Sequence, residues 1–192
     1  MQESNYQFYG LGIAPRLIDT LSYLKFKTAT PIQHQAIPVA LEGKDLIGIA
    51  QTGTGKTLAF GIPTLQRLTH DNKGKALILV PTRELAFQVE ESLLKFAHSV
   101  GLKTVTLVGG DSIHKQIMAL SRMPRVLIAT PGRLIDLMEQ RKVHLRDVRI
   151  LVLDEADRML DMGLLRRSTG FCKAFPPSVK LFYFQRRCPA PL

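Results

Sequence analysis

Five short, largely apolar runs recur along the chain, at residues 46–49, 76–80, 104–108, 126–129 and 150–153. Runs of this length that stay apolar, instead of alternating with polar residues, are the mark of strands buried on both faces. The segments between them, roughly 56–68, 83–98, 113–120 and 132–140, carry helical spacing. Strands joined by helix-length connectors predict right-handed crossovers, hence an α/β fold: a parallel sheet with helices on both faces. A further stretch, residues 8–41, is mostly helical by pattern and precedes the first strand. In such sheets ligands gather at the carboxyl ends of the strands, so the residues just after each run are the candidates for chemistry.

Composition narrows the class. A chain of 192 residues is one domain of ordinary size with a sizeable core. No run of 18 apolar residues occurs, which argues against a membrane span or partner, and the start Met1-Gln2-Glu3-Ser4 has no signal-peptide character. A cytoplasmic location is therefore expected. Two cysteines, Cys172 and Cys188, supply neither metal spacing nor a disulfide framework. The net charge of +10 suggests a polyanionic partner. However, the six basic residues after Gly163 (Arg166, Arg167, Lys173, Lys180, Arg186 and Arg187) meet no acidic residue there. Residues 1–163 therefore carry only +4 of that +10. The basicity is mostly a property of the tail.

The first run opens into Ala50-Gln51-Thr52-Gly53-Thr54-Gly55-Lys56-Thr57, and the fifth ends in Asp154-Glu155-Ala156-Asp157. The first motif is a glycine-bearing loop between strand and helix. Its backbone N–H groups can converge on phosphate, with Lys56 at the outer phosphates and the Thr57 hydroxyl on Mg²⁺. The second places Asp154 where it can hold the same Mg²⁺, with Glu155 beside it to orient water. Ala50 stands where the loop pattern usually begins with Gly, so the loop alone could be an ordinary Gly-rich turn. The pair of motifs points to nucleoside-triphosphate hydrolysis.

Three more motifs fall at the ends of the intervening runs. Pro81-Thr82-Arg83 opens a helix with Thr82 as its N-cap, Gly109-Gly110 permits close backbone approach, and Thr130-Pro131-Gly132-Arg133 repeats the hydroxyl, helix start and arginine. Each alone is compatible with a purely structural helix start or turn. Together, on one sheet edge, they suit the sugar–phosphate backbone of a nucleic acid.

In this order the motifs resemble the N-terminal RecA-like domain of DEAD-box RNA helicases over residues 8–163. Phe26-Lys27-Thr28-Ala29-Thr30-Pro31-Ile32-Gln33 is similar to that family's adenine-reading motif, with Phe8 at its isolated upstream aromatic; Lys25 and Ala29 depart from its usual Gly and Pro. The resemblance implies a RecA-like P-loop NTPase fold and an ATP-dependent RNA helicase activity. Gln33 would pair with adenine N6 and N7 and Phe26 would pack on the base. Gln51, Thr52, Gly53, Thr54, Gly55, Lys56 and Thr57 would hold the triphosphate, and Lys56, Asp154 and Glu155 would serve hydrolysis. It also implies sequence-independent RNA contacts from Pro81, Thr82, Arg83, Gly109, Gly110, Thr130, Pro131, Gly132 and Arg133. A catalytically silent ATP- and RNA-binding module is the alternative; a DNA translocase fits Gln33 and the acidic tetrad less well.

The resemblance does not extend into residues 164–192. These contain no acidic residue, both cysteines and four of the eleven prolines. The family's Ser-Ala-Thr motif is absent: Gln185-Arg186-Arg187 stand at its place, so Asp157 is expected to lose its partner, and a C-terminal RecA-like domain is expected to be missing. Read in another frame, the codons of Tyr183–Cys188 permit Phe-Ser-Ala-Thr-Met when the arginines use CGN. The tail is thus expected to be out of frame, basic and poorly packed, with residues 181–184 apolar enough to stand in for a last strand. Unwinding by this chain is expected to be absent.

Overall fold

The computed structural model describes residues 7–51, 53–161 and 174–185. Its six strands are β1 (Leu46–Ile49), β2 (Lys75–Leu79), β3 (Thr104–Leu107), β4 (Val126–Ala129), β5 (Val148–Leu153) and β6 (Lys180–Gln185). They form one parallel sheet in the order β1-β6-β5-β2-β4-β3. The helices are α1 (Pro15–Tyr23), α2 (Pro31–Leu41), α3 (Lys56–His70), α4 (Arg83–Ser99), α5 (Ile113–Leu120), α6 (Pro131–Glu139) and α7 (Ala156–Asp161). The five strands and four helices expected from the pattern are all present, with ends shifted by at most two residues. Among the described residues no helix is long and apolar enough to cross a membrane.

The period-two alternation of strands sorts side chains into two cores. In β2, Ala76 and Ile78 join a cluster covered by α1 to α4, while Leu77 and Leu79 join a second cluster on the side of α6 and α7. Burial on both faces is why β2 from Ala76 onward and β4 are apolar throughout. The edge strands differ: β1 leaves Ile47 and Ile49 exposed, and β3 carries half-buried Thr104 and Thr106. Each fully buried Leu, Ile or Phe contributes roughly 1.5–3 kcal/mol. Arg125 ties the end of α3 to the sheet, donating to the carbonyls of Gly74 (2.6 Å), Leu68 (3.0 Å) and Asp71.

Within the described part of the tail, residues 181–184 stand in for the last strand as their apolar character allowed, while residues 174–179 are only half-buried or exposed. β6 fills the slot between β1 and β5, pairing Leu46 with Phe182 and Leu153 with Tyr183. Phe182 and Phe184 are fully buried, and Phe184 meets Phe60 of α3 with ring centroids 5.5 Å apart. A run of apolar residues satisfies a two-sided slot whatever its exact sequence, which is why Leu181-Phe182-Tyr183-Phe184 fits there. Asp157 also keeps a neighbour: burial, followed by the Asp157 charge, raises the Tyr183 phenol above its ordinary pKa. Residues 162–173 and 186–192 lie outside the described residues.

Candidate functional site

A cavity of about 790 Å³ opens over the carboxyl ends of β1 and β5. Phe26, Gln33, Gly53, Gly55, Lys56, Thr57, Asp154 and Glu155 all line it. Lys56 stands at the first position of α3, where the helix N-terminus adds its own partial positive charge. Its Nζ is buried and has no hydrogen-bond partner among the described residues. A desolvated ammonium left this way is costly, and it is relieved by an anion entering the cavity. Gly55 caps the helix in the left-handed region (φ +92°), and a Cβ there would overlap the Gln33 amide and lie 2.9 Å from Thr30 Oγ1. Only glycine serves at this junction between the phosphate loop and α2.

The acidic strand end is held from two sides. Asp154 N–H donates to the Leu79 carbonyl at 3.0 Å, continuing the β5–β2 ladder, and the Asp154 carboxylate accepts from Glu155 N–H at 3.0 Å. Glu155 adopts a left-handed backbone (φ +53°), a strained state for a residue with a Cβ, of the kind that collects at functional sites. One of its carboxylate oxygens lies 3.5 Å from Arg158 Nη1, an ion pair that sequence reasoning missed although the i,i+3 spacing was legible. Among the described residues no group of three or more His, Cys, Asp or Glu could hold a metal ion by itself. Thr57 and Asp154 both line the cavity, and one hydroxyl with one carboxylate is a donor set that fits Mg²⁺, which keeps waters and binds through substrate phosphates.

Gln33 is in place but occupied. Its Oε1 accepts from Thr30 N–H at 2.9 Å and its Nε2 donates to the Gly55 carbonyl at 3.0 Å. The amide expected to read adenine thus holds the phosphate loop in this structure. Phe26 is 43% exposed beside it, available for stacking. Phe8, by contrast, is buried in the core and shares a smaller cavity of about 340 Å³ with Phe26. Gln51 and Thr54 shape the loop rather than line the large cavity, Thr54 Oγ1 donating to the Gln51 carbonyl at 2.6 Å; Thr52 lies outside the described residues.

The three motifs on the far side of the sheet edge meet at one loop, residues 108–112. Thr82 caps α4 as expected, its hydroxyl accepting from Leu85 N–H at 3.2 Å. Arg83 lies against Gly110 (φ +71°), where a Cβ would overlap its guanidinium. Arg133 donates from Nη1 and Nη2 to the Asp111 carbonyl, each at 3.3 Å, and sits 3.9 Å from Asp136, too long for a hydrogen bond. Pro81, just ahead of the α4 N-cap, and Pro131, the first residue of α6, are buried, while Gly109, Gly132 and Thr130 remain at least partly exposed. Gln116, which sequence reasoning passed over, reaches the same loop, its Nε2 donating to the Val108 carbonyl at 2.9 Å.

A parallel α/β sheet with a glycine–lysine loop after one strand and an acidic turn after another is a P-loop domain of the RecA-like type. A family model described as DEAD/DEAH box helicase matches residues 30–184, so the likeness runs past the Gly163 limit expected from the motifs, and the chain belongs to that family. It is 44% identical over 184 residues to a DEAD-box ATP-dependent RNA helicase, CshA of Streptococcus pneumoniae, covering 95% of this chain and 35% of that protein. It is 48% identical over 185 residues to the ATP-dependent rRNA helicase RRP3 of Yarrowia lipolytica, covering 95% and 38%. Among solved structures, the RNA helicase Prp28 of Chaetomium thermophilum bound to ADP superposes with a TM-score of 0.85 at 38% identity, over 95% of this chain and 46% of that one. The chain therefore spans about a third of the length of the curated relatives it matches.

Proposed function

We propose that this chain is the ATP-binding, RecA-like domain of an ATP-dependent RNA helicase, acting in the cytoplasm. The observation that carries the reading is the buried Lys56 ammonium, without a hydrogen-bond partner among the described residues, on the wall of a cavity shared with Gly55, Asp154 and Gln33. ATP places its outer phosphates at Lys56 and the loop N–H groups of residues 51–57, with Gln33 and Phe26 on the adenine. Mg²⁺, when bound with the nucleotide by Thr57 and Asp154, neutralises charge between the outer phosphates. Glu155 orients the attacking water. RNA lies along residues 81–83, 109–110 and 130–133 through sugar and phosphate, which gives binding without sequence choice.

Titration with ADP and GDP tests the base assignment: ADP binds more tightly, and equal affinities refute it. The Glu155→Gln variant binds ATP as the parent does and loses whatever hydrolysis the parent has. That hydrolysis is slow, because no arginine lines the cavity among the described residues, and an arginine at the transferring phosphoryl group is worth about 10³–10⁵ in rate. A silent ATP- and RNA-binding module is the second reading, favoured by that same lack of arginine; an ATPase assay with and without RNA separates the two. The acid-free stretch 164–192 is read as an out-of-frame continuation of such a gene. Sequencing the locus past codon 163 tests this: no helicase coding sequence in another frame refutes it.

A further inference from the structure

We propose that Gln116 is a positioning residue that fixes the Val108–Asp111 loop from beneath and so sets affinity for RNA without touching it. The proposal rests on the reading of Gly109 and Gly110 as RNA contacts. β3 is an edge strand, and its ladder ends when Thr130 N–H donates to the Leu107 carbonyl at 3.0 Å. Val108 is the first residue past that ladder and is fully buried, so its carbonyl needs a donor that water does not supply. Gln116 is that donor. It interrupts the apolar stripe Ile113, Ile117 and Leu120 of α5, all packed against the second core, and is itself only 4% exposed.

A glutamine here is not simply a core filler. Its Oε1 is buried with no hydrogen-bond partner among the described residues, a cost that an apolar residue of similar size would avoid. The benefit lies in what else holds the loop. Arg133 on the Asp111 carbonyl is the other polar hold, while the exposed Arg83 guanidinium lies against Gly110 with no hydrogen bond to the loop among the described residues. Both are cations that a phosphate backbone recruits, and each turns away from the loop to the extent that it turns toward phosphate. Gln116 is neutral, buried and out of reach of a bound strand. It is therefore the clamp that persists when RNA binds, and it keeps the two glycines in the shape that the strand meets.

The test uses fluorescence anisotropy with labelled single-stranded oligouridine, alongside titration with a fluorescent ADP as the check of folding. Gln116→Met weakens oligouridine binding about tenfold, as expected for one lost buried hydrogen bond, and leaves ADP affinity unchanged. Gln116→Glu is weak near pH 8, where the carboxylate cannot donate, and recovers toward about pH 6 as burial favours the protonated, donating form. Parent-like RNA affinity in Gln116→Met overturns the proposal, as does a Gln116→Glu profile that follows the parent's own pH dependence. A parent that binds ADP but no oligouridine refutes the RNA reading instead. In that event the Gly109 and Gly110 amide resonances decide the positioning: Gln116→Met shifts them both, and unmoved resonances overturn it.

Discussion

The two halves of the sheet's carboxyl edge treat their basic side chains in opposite ways. Over β1 and β5, Lys56 is buried and meets no partner among the described residues. Over β2, β3 and β4, Arg133 already donates to the Asp111 carbonyl of the loop it flanks, and Arg83 lies against Gly110 of the same loop. The first arrangement stores an unmet charge that only an incoming anion relieves. The second uses the same kind of charge to stabilise a loop, so a ligand must compete for it. The contrast suits a compact nucleotide held by a dedicated group on one side, and a polymer held loosely by many on the other.

The largest effect is expected beneath the nucleotide half. Phe184→Ala empties the space against Phe60 and costs about 3–5 kcal/mol, read as a lower midpoint in urea unfolding. Because β6 joins β1 to β5, ADP binding weakens along with stability. A loss under about 1 kcal/mol would mean that β6 is not packed as described. Lys56→Ala sharpens the contrast itself. It lowers nucleotide affinity by about 1.5–3 kcal/mol, the range of charge-assisted hydrogen bonds, while stability without nucleotide holds or rises. Lower stability in the free protein would show that Lys56 is satisfied in some other way.

Gly110→Ala probes the other half. The left-handed backbone costs about 1–2 kcal/mol and the Arg83 side chain is pushed aside, so stability and oligouridine binding fall together, where Lys56→Ala separates its two readouts. The smallest effect lies outside both halves. Backbone N–H groups of Gly74 and Lys73, then Arg149, hold Asp71 below the ordinary carboxylate range. A depressed folded pKa gives stability that is present above the unfolded pKa of 3.8 and lost as pH falls through the folded value. Asp71→Asn removes that acid-side dependence, by under about 1 kcal/mol because the group is well exposed. Thermal melts between neutral pH and about pH 3 check it.

Much of this was legible in the sequence, for a physical reason. Strands buried on both faces must be apolar and helices between them must carry a stripe, so 126–129 and 113–120 were located to the residue; 46–49 was located too, although β1 is an edge strand that leaves Ile47 and Ile49 exposed. Motifs at strand ends were equally visible, because glycine, lysine and aspartate at fixed offsets have few other uses. Side-chain commitments were not legible. Gln33 engages Gly55 across 22 positions, and no local pattern encodes that bond. The short α7 also escaped, since six residues after an acidic turn give too little periodicity. Gln116 did leave a trace: one amide inside an otherwise apolar helical stripe, where burial forces it to find a partner.

The place of β6 has a consequence for how the chain acquires its shape. Among the described residues β1, which launches the phosphate loop, is hydrogen-bonded within the sheet only to β6. Asp45 just before it accepts from Leu181 N–H, 136 positions away, and Ala50 N–H donates to the Gln185 carbonyl. Strands β2 to β5 can pair among themselves early, but β1 has no sheet partner until almost the entire chain is available. Contacts this distant in sequence are slow to form, because a long loop must close before they return any free energy. During synthesis, β1 and the loop it carries wait without a sheet partner until residue 185 has emerged. The nucleotide-binding end of the domain is therefore the last to be assembled and the first exposed to aggregation if the final strand is lost.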